Sequence, residues 1–332
     1  MFERLHATVQ RATFRAVDTL QLPQYKGSTI RGAFGHVFRR VSCPILCRNQ
    51  ATCILRYRCA YSVCFETPIP EHATMMRKYP FAPHPFVLEP PSDTQTRYEP
   101  GEEFSIRLIL IGRGNEYLAH FVYALDELGG QGFGPRRGKA ELIRLSTETE
   151  GRTIELFDRE GRRLKGEAPV IRHDEIQRRA EPLRGVPLRL RFETPARVKS
   201  NGQFTHSADL GVLFPGLLRR LSSLHYFHCN GDENVENVRD LLDMARGVRT
   251  RRTEVQWLDW TRYSQRQDTT MQLGGFTGEV EYDPVPDPLL PVLAWGELLH
   301  IGKASAFGLG KYTMKAVSSR SGCDSFPKQK SQ

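Results

Sequence analysis

The stretch HIGKASAFGLGKYTM, residues 300–314, has a counterpart in GQGFGPRRGKAEL, residues 130–142, and the two together decide the fold. An offset of 174 residues puts Phe133 on Phe307, and two extra arginines in the first copy then align the Gly-Lys pair that ends each turn. In both copies an amphipathic helix pattern precedes the glycines and a strand pattern follows them. The sequence therefore contains an internal repeat, which reveals architecture before any local pattern does.

The segments in front of these turns recur as well. TVQRATFRAV, residues 8–17, and PLRLRFETPARV, residues 187–198, are alternating strand patterns, and each leads into a helix that ends in Arg-Arg. The resulting order, strand, helix, strands, helix, strand, is that of the split βαβ of ferredoxin-like domains. We predict an α+β chain of tandem ferredoxin-like domains with antiparallel sheets, resembling RNA-recognition modules. The predicted domains are residues 1–180, with a Cys-rich insertion at 42–65, and residues 181–318, followed by a flexible tail at 319–332.

Composition narrows the function classes. Lys and Arg outnumber Asp and Glu by 47 to 38 and the pI is about 9.3, which favours an anionic partner such as nucleic acid, although a basic surface alone would look the same. No apolar run reaches the roughly 18 residues of a membrane span, and the first residues lack the apolar core of a signal peptide. We therefore expect a cytoplasmic protein that does not enter a membrane.

The glycine turns suit close approach by a ligand, and their Lys and Arg would neutralise phosphate. They are not nucleotide loops, because five residues separate Gly132 from Gly138 where the Walker pattern needs four, and Arg137 stands where G-x-G-x-x-G needs its third glycine. The alternative is an ordinary helix C-cap followed by a tight turn. Their recurrence, basic both times, favours binding.

The segment STIRGAFGHVFRRV, residues 28–41, predicts a helix in which His36 lies off the buried face, next to Arg39 and Arg40. A phosphate held by those arginines would lie within reach of the imidazole, which changes protonation near neutral pH. Gly32 and Gly35 are poor helix formers, which favours close approach of a ligand to this face. The predicted buried stripe consists of Ile30, Phe34, Val37 and Val41.

These residues carry a family resemblance. The two ferredoxin-like halves with GKASAFGLGKYTM near the carboxyl end resemble the RAMP superfamily of CRISPR-associated RNA-binding proteins. Within it, PQYKGSTIRGAFGHVFRR (23–40), the cysteine segment from residue 43 to 68, and HPFVLEPP (84–91) resemble the endoribonuclease that cuts CRISPR precursor transcripts within their repeats. The resemblance spans roughly residues 5 to 315 and implies metal-independent cleavage. In that reaction the ribose 2′-hydroxyl attacks the adjacent phosphorus and leaves a 2′,3′-cyclic phosphate and a 5′-hydroxyl end.

The resemblance also implies site residues and partners. It places a catalytic His on the first helix, which here is His36; Tyr25 and Lys26 in the preceding loop are candidates to orient the 2′-hydroxyl or stabilise charge, or else an ordinary loop aromatic and a solvated lysine. His300, before the second turn, caps the last helix or contacts phosphate. The implied partner is CRISPR repeat RNA, with effector-complex subunits, a fused or adjacent CRISPR protein and a second copy of the chain as further candidates. The RNA-binding candidates are Arg31, Arg39, Arg40, Arg136, Arg137, Lys139, Lys199, Lys303, Gly308, Gly310 and Lys311.

Four cysteines in the insertion are candidate metal ligands, namely Cys43, Cys47, Cys53 and Cys59. Four thiolates would hold a structural Zn²⁺ and leave no open position for catalysis, so no catalytic cofactor is expected; reduced, partly buried thiols are the alternative. Two other functions stay open. One is a non-catalytic RNA-binding RAMP subunit of a CRISPR effector complex, and the other is a zinc-dependent nucleic-acid enzyme.

Overall fold

The computed structural model describes residues 1–43, 45, 52–149, 151–161, 163–232, 237–259, 261–264 and 269–317. Its two main sheets are antiparallel, and each carries helices on one face. No helix in these ranges is both long enough and apolar enough to cross a membrane. The α-helices are α1 (Gly27–Ser42), α2 (Leu118–Gln131), α3 (His173–Ala180), α4 (Leu210–His228), α5 (Val238–Gly247) and α6 (Leu290–Leu299).

The first sheet has the spatial order β2-β3-β1-β4-β5, with antiparallel pairing throughout. Its first four strands alternate with α1 and α2 in the order β-α-β-β-α-β, as in a ferredoxin-like domain. The helices pack on the sheet through a phenylalanine-rich core that includes Phe14, Phe34 and Phe121. The strands are β1 (Ala7–Ala16), β2 (Phe86–Glu89), β3 (Glu103–Ile111), β4 (Ala140–Thr149) and β5 (Arg152–Glu155).

The second sheet repeats this topology. Its order is β7-β8-β6-β9, so the second, third, first and fourth strands of each half lie side by side in the same sequence. The helices α4 and α6 occupy the places of α1 and α2. The predicted tandem ferredoxin-like fold is therefore confirmed. The strands are β6 (Leu188–Ala196), β7 (Thr250–Leu258), β8 (Gly275–Tyr282) and β9 (Tyr312–Ala316).

Smaller elements complete the described chain. Four two-stranded pairs are Leu20–Gln21 with Arg97–Tyr98, Phe157–Asp158 with Arg163–Leu164, Val198–Ser200 with Gln203–Thr205, and Thr261–Ser264 with Thr269–Gln272. Short 3₁₀ segments lie at Gly112–Tyr117, Glu181–Leu183, Asp287–Leu289 and Ser305–Phe307, and one π-helical turn at Ser62–Glu66.

Helix α1 follows the predicted pattern. Ile30, Phe34 and Val37 are buried, Val41 is half-buried, and His36 is exposed. This burial leaves the polar face of α1, with its imidazole, free to line a cleft.

Helix α3 precedes the predicted boundary at residue 181, yet it packs with the second half. Its buried Ile176 and Ala180 belong to the same core as Trp295 of α6. The core of the second sheet thus includes a helix that the sequence analysis assigned to the first domain. The exact boundary between the two domains stays a prediction.

Candidate active site

A cleft of about 2810 Å³ lies where the two halves meet. One wall is the polar face of α1 together with the first glycine turn, and the other is formed by the second sheet and the second glycine turn. The first wall carries four arginines (Arg31, Arg39, Arg136 and Arg137) and three acids (Glu66, Glu89 and Asp93). The second wall carries two cations (Arg191 and Lys311) and four acids (Glu193, Glu254, Asp259 and Glu279). The first wall is therefore the more cationic of the two.

His36 is exposed on the first wall, as predicted, and Arg31 and Arg39 of α1 line the same cleft. Aromatic rings hold both arginines: the Arg31 guanidinium lies 4.1 Å from the Phe65 ring centroid, and that of Arg39 lies 5.7 Å from the Tyr61 centroid. Both guanidinium groups are therefore held in place within the cleft lining.

Two predictions on α1 need correction. Arg40 does not line the cleft, because it turns toward α2 and its Nη2 lies 3.3 Å from the carboxylate of Glu127. Gly35 has a packing reason as well, since a Cβ there would lie 2.9 Å from Nη1 of Arg31. This glycine makes room for the arginine of the protein itself.

Tyr25 and Lys26 are both committed to contacts within the protein. The Tyr25 hydroxyl donates a 2.6 Å hydrogen bond to the carbonyl oxygen of Phe307 in the second glycine turn. Burial, and after it the carboxylate of Glu89, raises the pKa of Tyr25 well above its ordinary value of 10.0, so the phenol is a poor base. Lys26 is 1% exposed and its Nζ bonds the carbonyl and carboxylate oxygens of Asp93 at 2.7 and 3.1 Å. Contrary to the prediction, Lys26 does not reach the cleft surface.

The second glycine turn is packed, not open. Gly308 (φ +81°) and Gly310 (φ +72°) are both buried in left-handed backbone conformations. A Cβ on Gly308 would lie 2.6 Å from Cδ of Pro90, and one on Gly310 would overlap the carbonyl oxygen of Ile301. These glycines let the turn fit against the first half, and the approach of RNA backbone at these two positions stays a prediction.

Glu89, which sequence reasoning missed, joins the two halves. Its carboxylate is 5% exposed and lies 2.6 Å from Nη1 of Arg107, 3.0 Å from Nε2 of His300 and 3.1 Å from Nζ of Lys311. Burial would raise the pKa of Glu89, but His300, Arg107 and Lys311 outweigh it and hold that pKa far below its ordinary value. The carboxylate is therefore ionised at the centre of a buried cluster of charges.

The partners of Glu89 can be compared with their predicted roles. His300 occupies the C-cap position of α6, as one of its two predicted roles requires, and it is completely buried, with Nδ1 3.1 Å from the carbonyl oxygen of Leu309. Its ring is therefore not accessible to a phosphate. Lys311 also lies 3.2 Å from the carboxylate of Glu193. Burial would lower the pKa of Lys311, but the two carboxylates raise it. Its charge is largely neutralised within the protein, which weakens the prediction of an RNA contact.

The remaining predicted RNA-binding cations lie in three places. Arg136 and Arg137 are exposed on the wall of the cleft, as an RNA contact requires. Lys139 is exposed outside that cleft, at a small depression next to α2. Lys199 and Lys303 are exposed on the second half and also lie outside the cleft lining. The eleven predicted RNA contacts therefore do not form one surface.

Only three of the four predicted cysteine ligands lie among the residues that the structure describes. Cys47 lies outside the described residues, and among those described no three His, Cys, Asp or Glu side chains are grouped as a metal site requires. Cys43 is buried, and the Cys59 thiol lies beside it and bonds the carbonyl oxygen of Ser42 at 3.4 Å. Burial is the main cause that raises the pKa of Cys59. The structural zinc ion stays a prediction.

Comparisons with known families agree with the fold and the cleft. Residues 5–169 match the model of the AF_1859_N N-terminal domain, and residues 190–312 match the CRISPR-associated endoribonuclease Cas6 model. The match to the Cas6 endoribonuclease model thus covers the second half of the chain. The predicted resemblance to a CRISPR-associated processing endoribonuclease is thereby confirmed. No curated protein matches the sequence.

Solved Cas6 structures share the fold at low identity. A Cas6 product complex is 18% identical with a TM-score of 0.57, covering 93% of this chain and 99% of that one. Thermus thermophilus Cas6 is 17% identical with a TM-score of 0.54, covering 94% and 99%. A chain of the partial Cas6-RT-Cas1–Cas2 complex is 12% identical with a TM-score of 0.58, covering 98% of this chain, which spans 48% of the longer one. These likenesses support the tandem fold.

Proposed function

We propose that this chain is a Cas6-type endoribonuclease, which cuts CRISPR precursor transcripts within their repeats, without a metal ion, to generate guide RNAs. The 2′-oxygen forms a bond to the adjacent phosphorus while the bond from phosphorus to the 5′-oxygen breaks. The 2′-hydroxyl proton leaves to a base, and a proton is delivered to the 5′-oxygen. The products carry a 2′,3′-cyclic phosphate and a 5′-hydroxyl. The observation that carries the proposal is an exposed His36 beside arginines in the lining of the cleft, in a chain whose residues 190–312 match the Cas6 endoribonuclease model.

Within this proposal, His36 transfers the proton at the 2′- or the 5′-oxygen, since an imidazole works as both acid and base near neutral pH. Arg31 and Arg39 lie on the same wall, where fixed cations stabilise the charge that develops on the phosphorane oxygens. Arg136 and Arg137 hold neighbouring phosphates. Tyr25 acts indirectly, by tying the loop before α1 to the second glycine turn.

The test is incubation of the full chain with a repeat-containing transcript in EDTA. We expect one cut that leaves a cyclic phosphate, and no cut when the nucleotide before the scissile phosphate lacks its 2′-hydroxyl. His36→Ala should lower the rate by about 100-fold or more with nearly unchanged RNA affinity. His72→Ala is the matched control, because His72 is exposed and lies outside the cleft lining.

Two results would redirect the proposal. Tight binding without scission would favour the non-catalytic RAMP subunit, and loss of the chemistry itself in EDTA would favour a zinc-dependent enzyme. Full activity of His36→Ala would remove this histidine from the reaction.

The proposed partners are repeat RNA and other CRISPR proteins. One solved relative is a longer chain in a Cas6-RT-Cas1–Cas2 complex, which supports association with proteins of that kind. Light scattering of the full chain with and without repeat RNA measures whether it also forms a homodimer.

A further inference from the structure

A second cationic surface lies outside the cleft, on the hairpin formed by Val198–Ser200 and Gln203–Thr205. Phe204 on this hairpin is 41% exposed, and two cations contact its ring. The Arg197 guanidinium lies 4.3 Å from the ring centroid and the Lys199 ammonium 5.0 Å. Arg197 is 8% exposed and donates a 2.6 Å hydrogen bond to the carbonyl oxygen of Gly274, so it is a fixed support. Lys199 is exposed and free to move to a ligand.

The start of the second glycine turn adds a third cation. The backbone N–H of Lys303 donates a 2.9 Å bond to the carbonyl oxygen of Arg197, which brings this exposed lysine to the base of the hairpin. Gly302 permits this approach, since it has φ +83° and a Cβ there would lie 2.6 Å from the same oxygen. The start of the second glycine turn therefore contacts the hairpin, while the end of the turn packs against the first half.

The cations here repel one another. Burial lowers the pKa of Lys303, and the charges of Arg219, Lys199 and Arg220 lower it further. Arg220 is occupied by hydrogen bonds to the carbonyl oxygens at the end of α6. Within the part of the chain that the structure describes, no ion pair within 4.0 Å joins Lys199, Arg219 or Lys303 to a carboxylate, and Asp259 is an acid whose charge acts on Arg197. Because the cations outnumber the acids here, the cluster favours an anionic ligand.

We call Arg197, Lys199, Phe204, Arg219 and Lys303 the hairpin patch, and we propose that it binds single-stranded RNA. An unpaired base stacks on Phe204, and the flanking phosphates contact Lys199, Arg219 and Lys303. An exposed ring among cations suits a single strand, because a duplex buries the faces of its bases and offers only phosphates. The choice of RNA over other polyanions rests on the proposed function.

The test is fluorescence anisotropy of the full chain with a single-stranded oligouridylate of about ten nucleotides, a length within the usual site size of such binders. The same strand with abasic positions, and a duplex of equal length, serve as comparison ligands. Phe204→Leu keeps an apolar side chain and removes the aromatic face, and should weaken binding of the single strand about 10-fold. Lys303→Gln should lower the dependence of log K on log salt by about 0.7. Lys165→Gln, on a first-half hairpin, removes the same charge elsewhere and should change the affinity little.

The proposal is overturned if Phe204→Leu binds the oligouridylate as the native chain does, or if the abasic strand or the duplex binds equally well. A patch that serves an acidic protein partner would bind these polyanions without distinguishing between them, and would give that last result. Cleavage of the repeat transcript, assayed in parallel, separates the two proposals. If the native chain cleaves the transcript but Phe204→Leu does not affect single-strand binding, only the proposal on the hairpin patch is refuted. If single-strand binding depends on Phe204 but the native chain does not cleave the transcript, only the proposed function is refuted.

Discussion

Replacing Gly310 by alanine tests whether the second glycine turn exists for packing or for RNA. At φ +72° an alanine costs about 1–2 kcal/mol from backbone sterics alone. Its Cβ would also overlap the carbonyl oxygen of Ile301, and the backbone there is held by bonds from Ile301 N–H to Gly310 O and from Gly310 N–H to Pro195 O, of 2.9 and 3.0 Å. Relief requires a backbone shift that adds about 1–3 kcal/mol. We expect the free energy of unfolding to fall by about 2–5 kcal/mol.

The matched control is Gly151→Ala. Gly151 has φ +74° in the turn between β4 and β5, and a Cβ there meets nothing within 4 Å, so only the backbone term of about 1–2 kcal/mol remains. Urea unfolding followed by circular dichroism and by tryptophan fluorescence measures both variants, since Trp295 is fully buried in the second core. Equal free energies of unfolding for the two variants would refute the packing argument. A loss of RNA affinity by Gly310→Ala at native stability would restore the predicted RNA role of the turn.

Three further outcomes follow from ionisable side chains, two of them buried and the third a pair of arginines on the cleft wall. Glu89→Gln should lower the free energy of unfolding by about 3–5 kcal/mol, against at most about 1 kcal/mol for Glu193→Gln, because Glu193 is half-exposed. Since the pKa of Glu89 is lowered in the folded chain, the difference in stability between Glu89→Gln and the native chain should shrink as the pH falls below 4.5. A difference in urea unfolding that does not change with pH would contradict this. Burial lowers the pKa of His228 from 6.5 to about 4, so stability should fall by up to about 3 kcal/mol between those pH values, and His228→Leu should flatten that slope in urea titrations. The double change Arg136→Gln and Arg137→Gln should weaken repeat RNA binding and lower its log-log salt dependence by about 1.4, which anisotropy at several salt concentrations measures.

The sequence predicts the fold well because both halves carry the same order of periodic segments. Hydrophobic spacing placed Ile30, Phe34 and Val37 of α1 in the core and left His36 exposed, since helix faces follow from local periodicity. These features depend on neighbours within one helix or one strand, which a linear sequence shows directly.

The site was predicted less completely because its decisive contacts are long-range. Lys26 forms a hydrogen bond with Asp93, which is 67 residues away in the sequence, and His300 contacts the carboxylate of Glu89, which is 211 residues away. No spacing rule reports such pairs. One usable signal was present: HPFVLEPP sets Glu89 at the end of an apolar strand, where an isolated carboxylate requires a buried partner.

The Glu89 cluster limits how related proteins of this kind can be recombined. Its four side chains come from both halves of the gene, with Glu89 and Arg107 before the midpoint and His300 and Lys311 near the end. A chimera that takes its front half from one relative and its back half from another would set a lone carboxylate, or a lone imidazole, against the foreign surface. Such a hybrid should fold only when Glu89 and its partners are taken from the same relative. The two halves, although they repeat one topology, are therefore expected to be exchanged between relatives only as a pair.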